Sequence, residues 1–300
     1  MKPDSMSARA FVALQYLLPQ HLLSRGVWWL TRSRSPWLKS ALIRRFMSGF
    51  RPDMGDALEP DPTRYGSFND FFTRALREGA RPAPASATDI ACPVDGAVSM
   101  AGTTGNGRVL QAKGRDYSLE SLLAGRQEWV RQFDGGRFAT LYLAPFNYHR
   151  IHMPLAGTLR EAWYVPGKLF SVNTVTAARV PALFARNERV ILAFEGEAGC
   201  FAVVLVGALF VGSMATVWHG DVTPAAQRRV TTLLPRADLK VGTRLPRGAE
   251  LGRFNMGSTV ILLLPPGAAR WSATLVPGQT VRVGQTIGHT VADPAVTRLP

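Results

Sequence analysis

Two cysteines in 300 residues, Cys92 and Cys200, are too few and too far apart for a disulfide framework or a thiolate zinc site. Set among apolar neighbours, they read as packed, reduced thiols, which fits a cytosolic compartment. Long apolar runs are missing as well: no stretch offers the roughly 18 uncharged apolar residues of a spanning helix. The first residues lack a basic segment followed by a long apolar core and a small-residue cleavage site, so no secretory leader is expected. Acid is scarce, with 35 Lys or Arg against 21 Asp or Glu and a formal net charge of +14. Such an excess asks for an acidic partner. It is unevenly spread, because residues 1–51 hold nine Lys or Arg against Asp4 alone. Histidine is sparse too, at five in the chain.

What is present begins with an apolar-basic arm. Phe11, Val12, Leu14, Leu17 and Leu18 fall at helical spacing and Pro19 ends that turn. Val27-Trp-Trp-Leu30 is followed by Arg32 and Arg34. A third segment, Trp37 to Phe50, sets Leu38, Leu42, Phe46 and Phe50 on one side, with Lys39, Arg44, Arg45 and Arg51 largely elsewhere. Tryptophan at a boundary with arginine beyond it is the composition of an interfacial helix, so an anionic membrane surface is favoured over nucleic acid as the acidic partner. The competing reading is a set of ordinary amphipathic helices covering a core. Residues 52–66 turn acidic and proline-rich, a connector. Ser67-Phe-Asn-Asp70 then opens a short helix, with Ser67 as N-cap and Phe68, Phe71, Phe72 and Leu76 as its apolar stripe. We divide the chain into an arm and connector, 1–66, and one main domain, 67–300.

From Ala91 onward, short apolar runs broken by glycine every eight to twelve residues predict an all-β sandwich or barrel. Phe138–Leu143, Arg189–Phe194, Cys200–Val206 and Leu209–Val211 are the clearest expected strands. Gly242…Gly248…Gly252 and Gly278…Gly284…Gly288 share one frame at an offset of 36 residues, which predicts matched tight turns. Similar hairpins build barrel-sandwich carrier domains, although no lysine sits at either tip. The fold class expected is α+β: a mainly β sandwich or barrel-sandwich-like core with N-terminal amphipathic membrane-surface helices.

Val260 to Leu264 reads as a strand buried on both faces, and the turn before it is Gly257-Ser258-Thr259. That turn is either an ordinary Gly-Ser turn or a reactive one. Elsewhere Asp95 precedes Gly96, a common hairpin pair. His149 and His152 lie three residues apart. Metal binding by this pair is disfavoured, because no third ligand follows at zinc-like spacing and Arg150 between them repels a cation. Packed imidazoles and proton transfer remain as readings. Together Asp95, a histidine and Ser258 complete an Asp, His, Ser set.

Four segments carry a resemblance. Met256-Gly257-Ser258-Thr259, Cys92-Pro-Val-Asp95-Gly96, the run from Tyr142 to Pro154 containing His149-Arg-Ile-His152, and Tyr164-Val-Pro-Gly-Lys-Leu-Phe-Ser-Val-Asn173 resemble the phosphatidylserine decarboxylases in motif and order. The likeness runs from about Tyr65 to the C-terminus and more loosely through the arm. Met256 departs from the usual leucine, a volume-conserving change. The resemblance implies self-cleavage between Gly257 and Ser258, with Asp95 and His152 assisting the Ser258 hydroxyl, and conversion of Ser258 to a covalent pyruvoyl group. No other cofactor and no metal are implied.

The pyruvoyl carbonyl of such enzymes forms a Schiff base with the amine of phosphatidylserine and accepts the electrons left by carbon dioxide, giving phosphatidylethanolamine. His149 is then the expected proton donor to the decarboxylated carbon. The implied assembly is a heterodimer of residues 1–257 and 258–300, peripheral on the cytoplasmic side of the cell membrane, and compatible with a higher homo-oligomer. Lys168, Arg186 and Arg189 are either anion contacts or exposed loop charges. Two other classes stay open. A serine hydrolase would use the same Asp95, His152 and Ser258, although no G-x-S-x-G elbow surrounds the serine. A barrel-sandwich binding module with a basic membrane- or RNA-binding arm needs no chemistry at all.

Overall fold

The computed structural model describes residues 5–210, 213–223, 229–233 and 244–291. Three helices open it: α1 (Met6–Leu17), α2 (Gln20–Thr31) and α3 (Pro36–Phe50). Ser5 caps α1 through the Ala8 amide, and Pro36 starts α3 where its missing N–H costs nothing. A short α4 (Phe68–Phe72) follows, capped by Ser67 from the Asp70 amide as its sequence predicts. The apolar stripe stops earlier than expected, because Thr73 turns its hydroxyl back onto the Asn69 carbonyl and Arg150 takes the Thr73 carbonyl.

The arm is inverted relative to an ordinary surface helix. Inward, α1 and α2 bury Gln15, Gln20, Ser24 and Thr31 as well as Ala8 and Val12. Outward, they present Leu17 at 83% exposure, Leu22 at 69% and Trp29 at 69%. Each buried glutamine works as a clip: Gln15 accepts from the Ser171 amide and Gln20 from the Leu169 amide, both at 2.7 Å. In contrast α3 packs in the usual way, placing Ile43 and Phe46 against Phe68, Phe71 and Phe72 while Arg44 and Arg45 face solvent.

All strand pairs between the named strands are antiparallel, within an α+β architecture. The parts that position the site are β1 (Gly96–Thr103), β2 (Arg137–Tyr142), β3 (Arg150–His152), β4 (Gly157–Val165), β5 (Arg189–Gly196), β6 (Gly199–Val206), β7 (Met214–Thr216), β8 (Glu250–Phe254), β9 (Thr259–Leu264) and β10 (Thr280–Val281). The large sheet runs β4-β5-β6-β9-β2-β1-β10, with two short strands added beside β4. A second sheet contains β7-β8-β3. Every residue of β9 is buried between β6 and β2, so each apolar side chain from Val260 to Leu264 contributes about 1.5–3 kcal/mol of burial. One expected strand is absent: Leu209 and Phe210 form a turn with Phe210 at φ 64°, and Val211 lies outside the described residues.

The repeated glycine frame has a physical meaning on both copies. Gly248 and Gly284 each take φ 81°, the left-handed region that favours glycine. Gly252 and Gly288 each let a backbone carbonyl approach, since an added Cβ would lie 2.4 Å from the Ala215 oxygen and 2.6 Å from the Arg270 oxygen. Gly242, the first member of one copy, lies outside the described residues.

Candidate active site

The site is built where β8 ends and β9 begins. Ser258 has no exposure, and its carbonyl accepts from the Leu143 amide at 2.8 Å, extending the β9–β2 ladder by one residue. Its Oγ has no hydrogen-bond partner. A buried hydroxyl left unpaired costs about 1–3 kcal/mol, so an arrangement that keeps it so calls for a reason beyond packing. At Gly257 an added Cβ would lie 3.1 Å from His149 Cε1 and 3.2 Å from the Leu143 oxygen. Close approach is therefore what glycine provides here. Gly257 is not among the positive-φ glycines, so it is the space and not a left-handed backbone that calls for glycine at this position.

His149 is wholly buried and stacks on Phe72, ring centroids 4.1 Å apart. Its Nε2 pairs with the Pro145 carbonyl at 3.1 Å, which places the proton there and leaves the Nδ1 lone pair unpartnered. Burial pushes the imidazole down to about 3, so it is neutral near pH 7. His152 sits differently. Its Nδ1 donates to the Gly248 carbonyl at 2.8 Å and its Nε2 accepts from the Tyr148 hydroxyl at 3.0 Å. Burial lowers its pKa as well.

Asp95 is held by other partners than a histidine. One carboxylate oxygen accepts from Arg81 Nη2 at 2.6 Å, and the other from Arg81 Nε at 3.1 Å and from the Val283 amide at 2.8 Å. Arg81 reaches on to Asp56 at 2.8 Å. Thus the structure gathers His149, Gly257 and Ser258, whereas no hydrogen bond joins Asp95, His152 and Ser258 to one another. Burial pushes the Cys92 thiol up to about 12 and that of Cys200 up to about 11, so both stay protonated near pH 7.

Residues that spacing did not reveal anchor the upstream flank. Asn255, buried, donates to Ser213 Oγ and to Asp221 at 3.2 Å, and accepts from Asn69 at 3.2 Å. Arg32 from the end of α2 joins the same pair, reaching Ser213 at 3.1 Å and Asp221 at 2.8 Å. Met256 packs against both the main core and the phenylalanine cluster under α3. No motif in the sequence links positions 32, 69, 221 and 255. Only Tyr148 could have been found, lying inside the histidine motif. Of the candidate anion contacts, Lys168 is exposed and Arg186 lies over the Tyr16 and Phe170 rings. Arg189 is no loop charge, because at 2% exposure it donates to the carbonyls of Leu122, Ser121, Ala185 and Asn187.

Fold and site together define an α+β enzyme organised around one serine buried at the mouth of a core strand. A family model for phosphatidylserine decarboxylase matches residues 68–289, and a second, described as PSD, matches residues 10–51. Curated proteins named phosphatidylserine decarboxylase proenzyme are similar along nearly the whole chain. That of Azotobacter vinelandii is 51% identical over 284 residues, covering 95% of this chain and 99% of its own. That of Ectopseudomonas mendocina is 50% identical with the same coverage, and that of Methylococcus capsulatus 49% over 281 residues, covering 93% and 96%. The chain belongs to the phosphatidylserine decarboxylase family.

Proposed function

We propose that this protein converts phosphatidylserine to phosphatidylethanolamine after cutting its own backbone between Gly257 and Ser258. The observation that carries the reading is the buried, unpartnered Ser258 Oγ directly after a glycine pressed against an imidazole. In the cut, Oγ bonds to the Gly257 carbonyl carbon and the Gly257–Ser258 C–N bond breaks, leaving an ester and a free amine on residue 258. Loss of the residue 258 α-proton then expels the Gly257 carboxylate. The remaining enamine tautomerises, takes up water and releases ammonia, which leaves a pyruvoyl group at the head of residues 258–300. The residues present fit such a group: it would be enclosed at the strand mouth, beside a histidine with a free ring nitrogen. Once formed, it supplies a carbonyl that condenses with the substrate amine and accepts the electron pair released with carbon dioxide.

We assign proton removal during maturation to His152, which Tyr148 and the Gly248 carbonyl hold and which the charge of Asp95 makes more basic, and protonation of the decarboxylated carbon to His149. One specific observation favours a second reading, in which His149 serves maturation itself. Its Cε1 and unpartnered Nδ1 would lie 3.1 and 3.9 Å from a Cβ added at Gly257, whereas no His152 atom is among the three nearest and both His152 nitrogens are already engaged.

Residues 1–66 act as a peripheral membrane arm joined to the catalytic domain, 67–300. What supports this is the inversion of α1 and α2, which turn leucine and tryptophan outward, together with the exposed Arg44 and Arg45. No described helix is long and apolar enough to cross a membrane.

Purified protein mixed with phosphatidylserine vesicles should release carbon dioxide and phosphatidylethanolamine, and Ser258→Ala should do neither. Turnover by Ser258→Ala would overturn the reading.

A further inference from the structure

We propose that Arg74 is the anion-binding residue of this site and takes the phosphodiester of the phospholipid headgroup; the assignment rests on the decarboxylase reading above. Arg74 lies two residues after Phe72, whose ring stacks on His149, and is 3% exposed. Its guanidinium is poorly satisfied. Nη2 has only two long contacts, 3.4 Å each, to the carbonyls of Asp53 and Phe146, while Nε and Nη1 are buried with no partner. Among the described residues no carboxylate lies within ion-pair distance of it. The nearby Asp95 is already held in the fork of Arg81.

Arg189 shows what a structural buried arginine looks like in the same protein. It is just as enclosed, yet Nε, Nη1 and Nη2 all reach carbonyl oxygens at 2.5–3.0 Å. Enclosing a cation without such partners costs several kcal/mol, and burial does depress the Arg74 pKa. Donors left free close enough to His149 to act on its charge are a site for an oxyanion, which guanidinium meets in a two-pronged fashion.

Phosphatidylserine offers two oxyanions, and the chemistry chooses between them. The carboxylate departs as neutral carbon dioxide, so a cation paired with it stabilises a charge that the transition state is losing and slows the reaction. The phosphodiester keeps its charge throughout. Binding there holds the headgroup equally before and during the reaction and shows in KM. The Nη2 contacts that phosphate oxygens would replace belong partly to the Ala144–Asn147 turn, whose Phe146 ring is half exposed. Arg74 is also one reason, after burial, that His149 stays neutral, so a seated anion would return basicity to the group beside Gly257.

Two measurements test this. In cleaved protein, Arg74→Gln should raise KM for phosphatidylserine roughly 10- to 100-fold, the size of lost charge-assisted hydrogen bonds, with a much smaller change in kcat and with Arg74→Lys in between. In uncut Ser258→Ala, which needs no decarboxylase activity, dihexanoylphosphatidylethanolamine carries the phosphodiester without a carboxylate. Its binding should weaken by the same factor when Arg74→Gln is added, while binding of free serine should not change. Equal lipid binding with and without Arg74 would overturn the proposal, as would no lipid binding by Ser258→Ala. Loss confined to free serine would also overturn it, placing the carboxylate at Arg74. If Arg74→Gln fails to cut, the Ser258→Ala arm still decides.

Discussion

Two buried polar clusters sit side by side at one end of the large sheet, since Arg189 pairs with Val206 and Val206 with Thr259. In the first, Asn187, Glu188 and Arg189, the side chains are engaged. Asn187 clamps the Phe170 backbone and the Gly207 carbonyl, Glu188 accepts from Tyr164 at 2.8 Å, and Arg189 spreads over four carbonyls. In the second, Ser258 Oγ, Thr259 Oγ1, His149 Nδ1 and the Arg74 nitrogens Nε and Nη1 have no partner. Burial is the same in both, so burial alone does not mark function. Unused hydrogen-bonding capacity does not mark it singly either, since Tyr117, Trp129 and Trp163 each bury one unpartnered atom elsewhere; what sets the second cluster apart is that several such atoms gather about one Gly-Ser bond and its histidine.

The comparison breaks most sharply at the histidines. If His152 removes protons during maturation, His152→Ala and Asp95→Ala should both remain uncut, and His149→Ala should cut at least in part yet turn over about 10² to 10⁴ more slowly, the usual loss of a general acid. His149→Gln, which keeps hydrogen bonding without titration, separates this from lost packing. An uncut His149→Ala beside a cut, inactive His152→Ala would reverse the two roles in favour of the imidazole at Gly257.

A smaller effect comes from pH. Unfolded His149 takes a proton near its ordinary pKa, about 6.5, whereas the buried imidazole does so only near about 3. Between those values the unfolded chain binds more protons, so stability is full above the unfolded pKa and is lost as pH falls. In the uncut Ser258→Ala background, lowering the pH from 7 to 5 should cost about 2 kcal/mol through this residue. Urea melts with and without His149→Gln read it. An equal pH slope in both would show that His149 is not held neutral by burial.

The remaining effect lies outside both clusters. Arg44→Glu with Arg45→Glu should weaken partition onto anionic liposomes by about 1 kcal/mol or more per residue and reduce its salt dependence, while self-cleavage persists. Unchanged partitioning would refute the membrane arm.

The sequence made the strands legible wherever burial on both faces wrote an unbroken apolar run, as in Val260–Leu264 and Cys200–Val206. It made the Ser67 cap and the positive-φ glycines Gly248 and Gly284 legible for the same local reason. It also put Gly257, Ser258 and His149 within one candidate set. The partners were not legible. Asp95 goes to Arg81 and Val283, and His152 to Tyr148 and Gly248, because those contacts depend on which loops the sheet brings together. The arm's inward glutamines were likewise hidden, since helical spacing shows a stripe and not which stripe faces the core. Leu209–Phe210 reads as apolar and extended, but it turns.

Intact mass of the purified protein bears most directly on the claim that Ser258 is held unpartnered for reaction with its own chain. Wild type should resolve into two chains, residues 1–257 and residues 258–300, the smaller blocked to Edman degradation, while Ser258→Ala stays a single chain of 300 residues. Wild-type protein that decarboxylates phosphatidylserine as one uncut chain would contradict it.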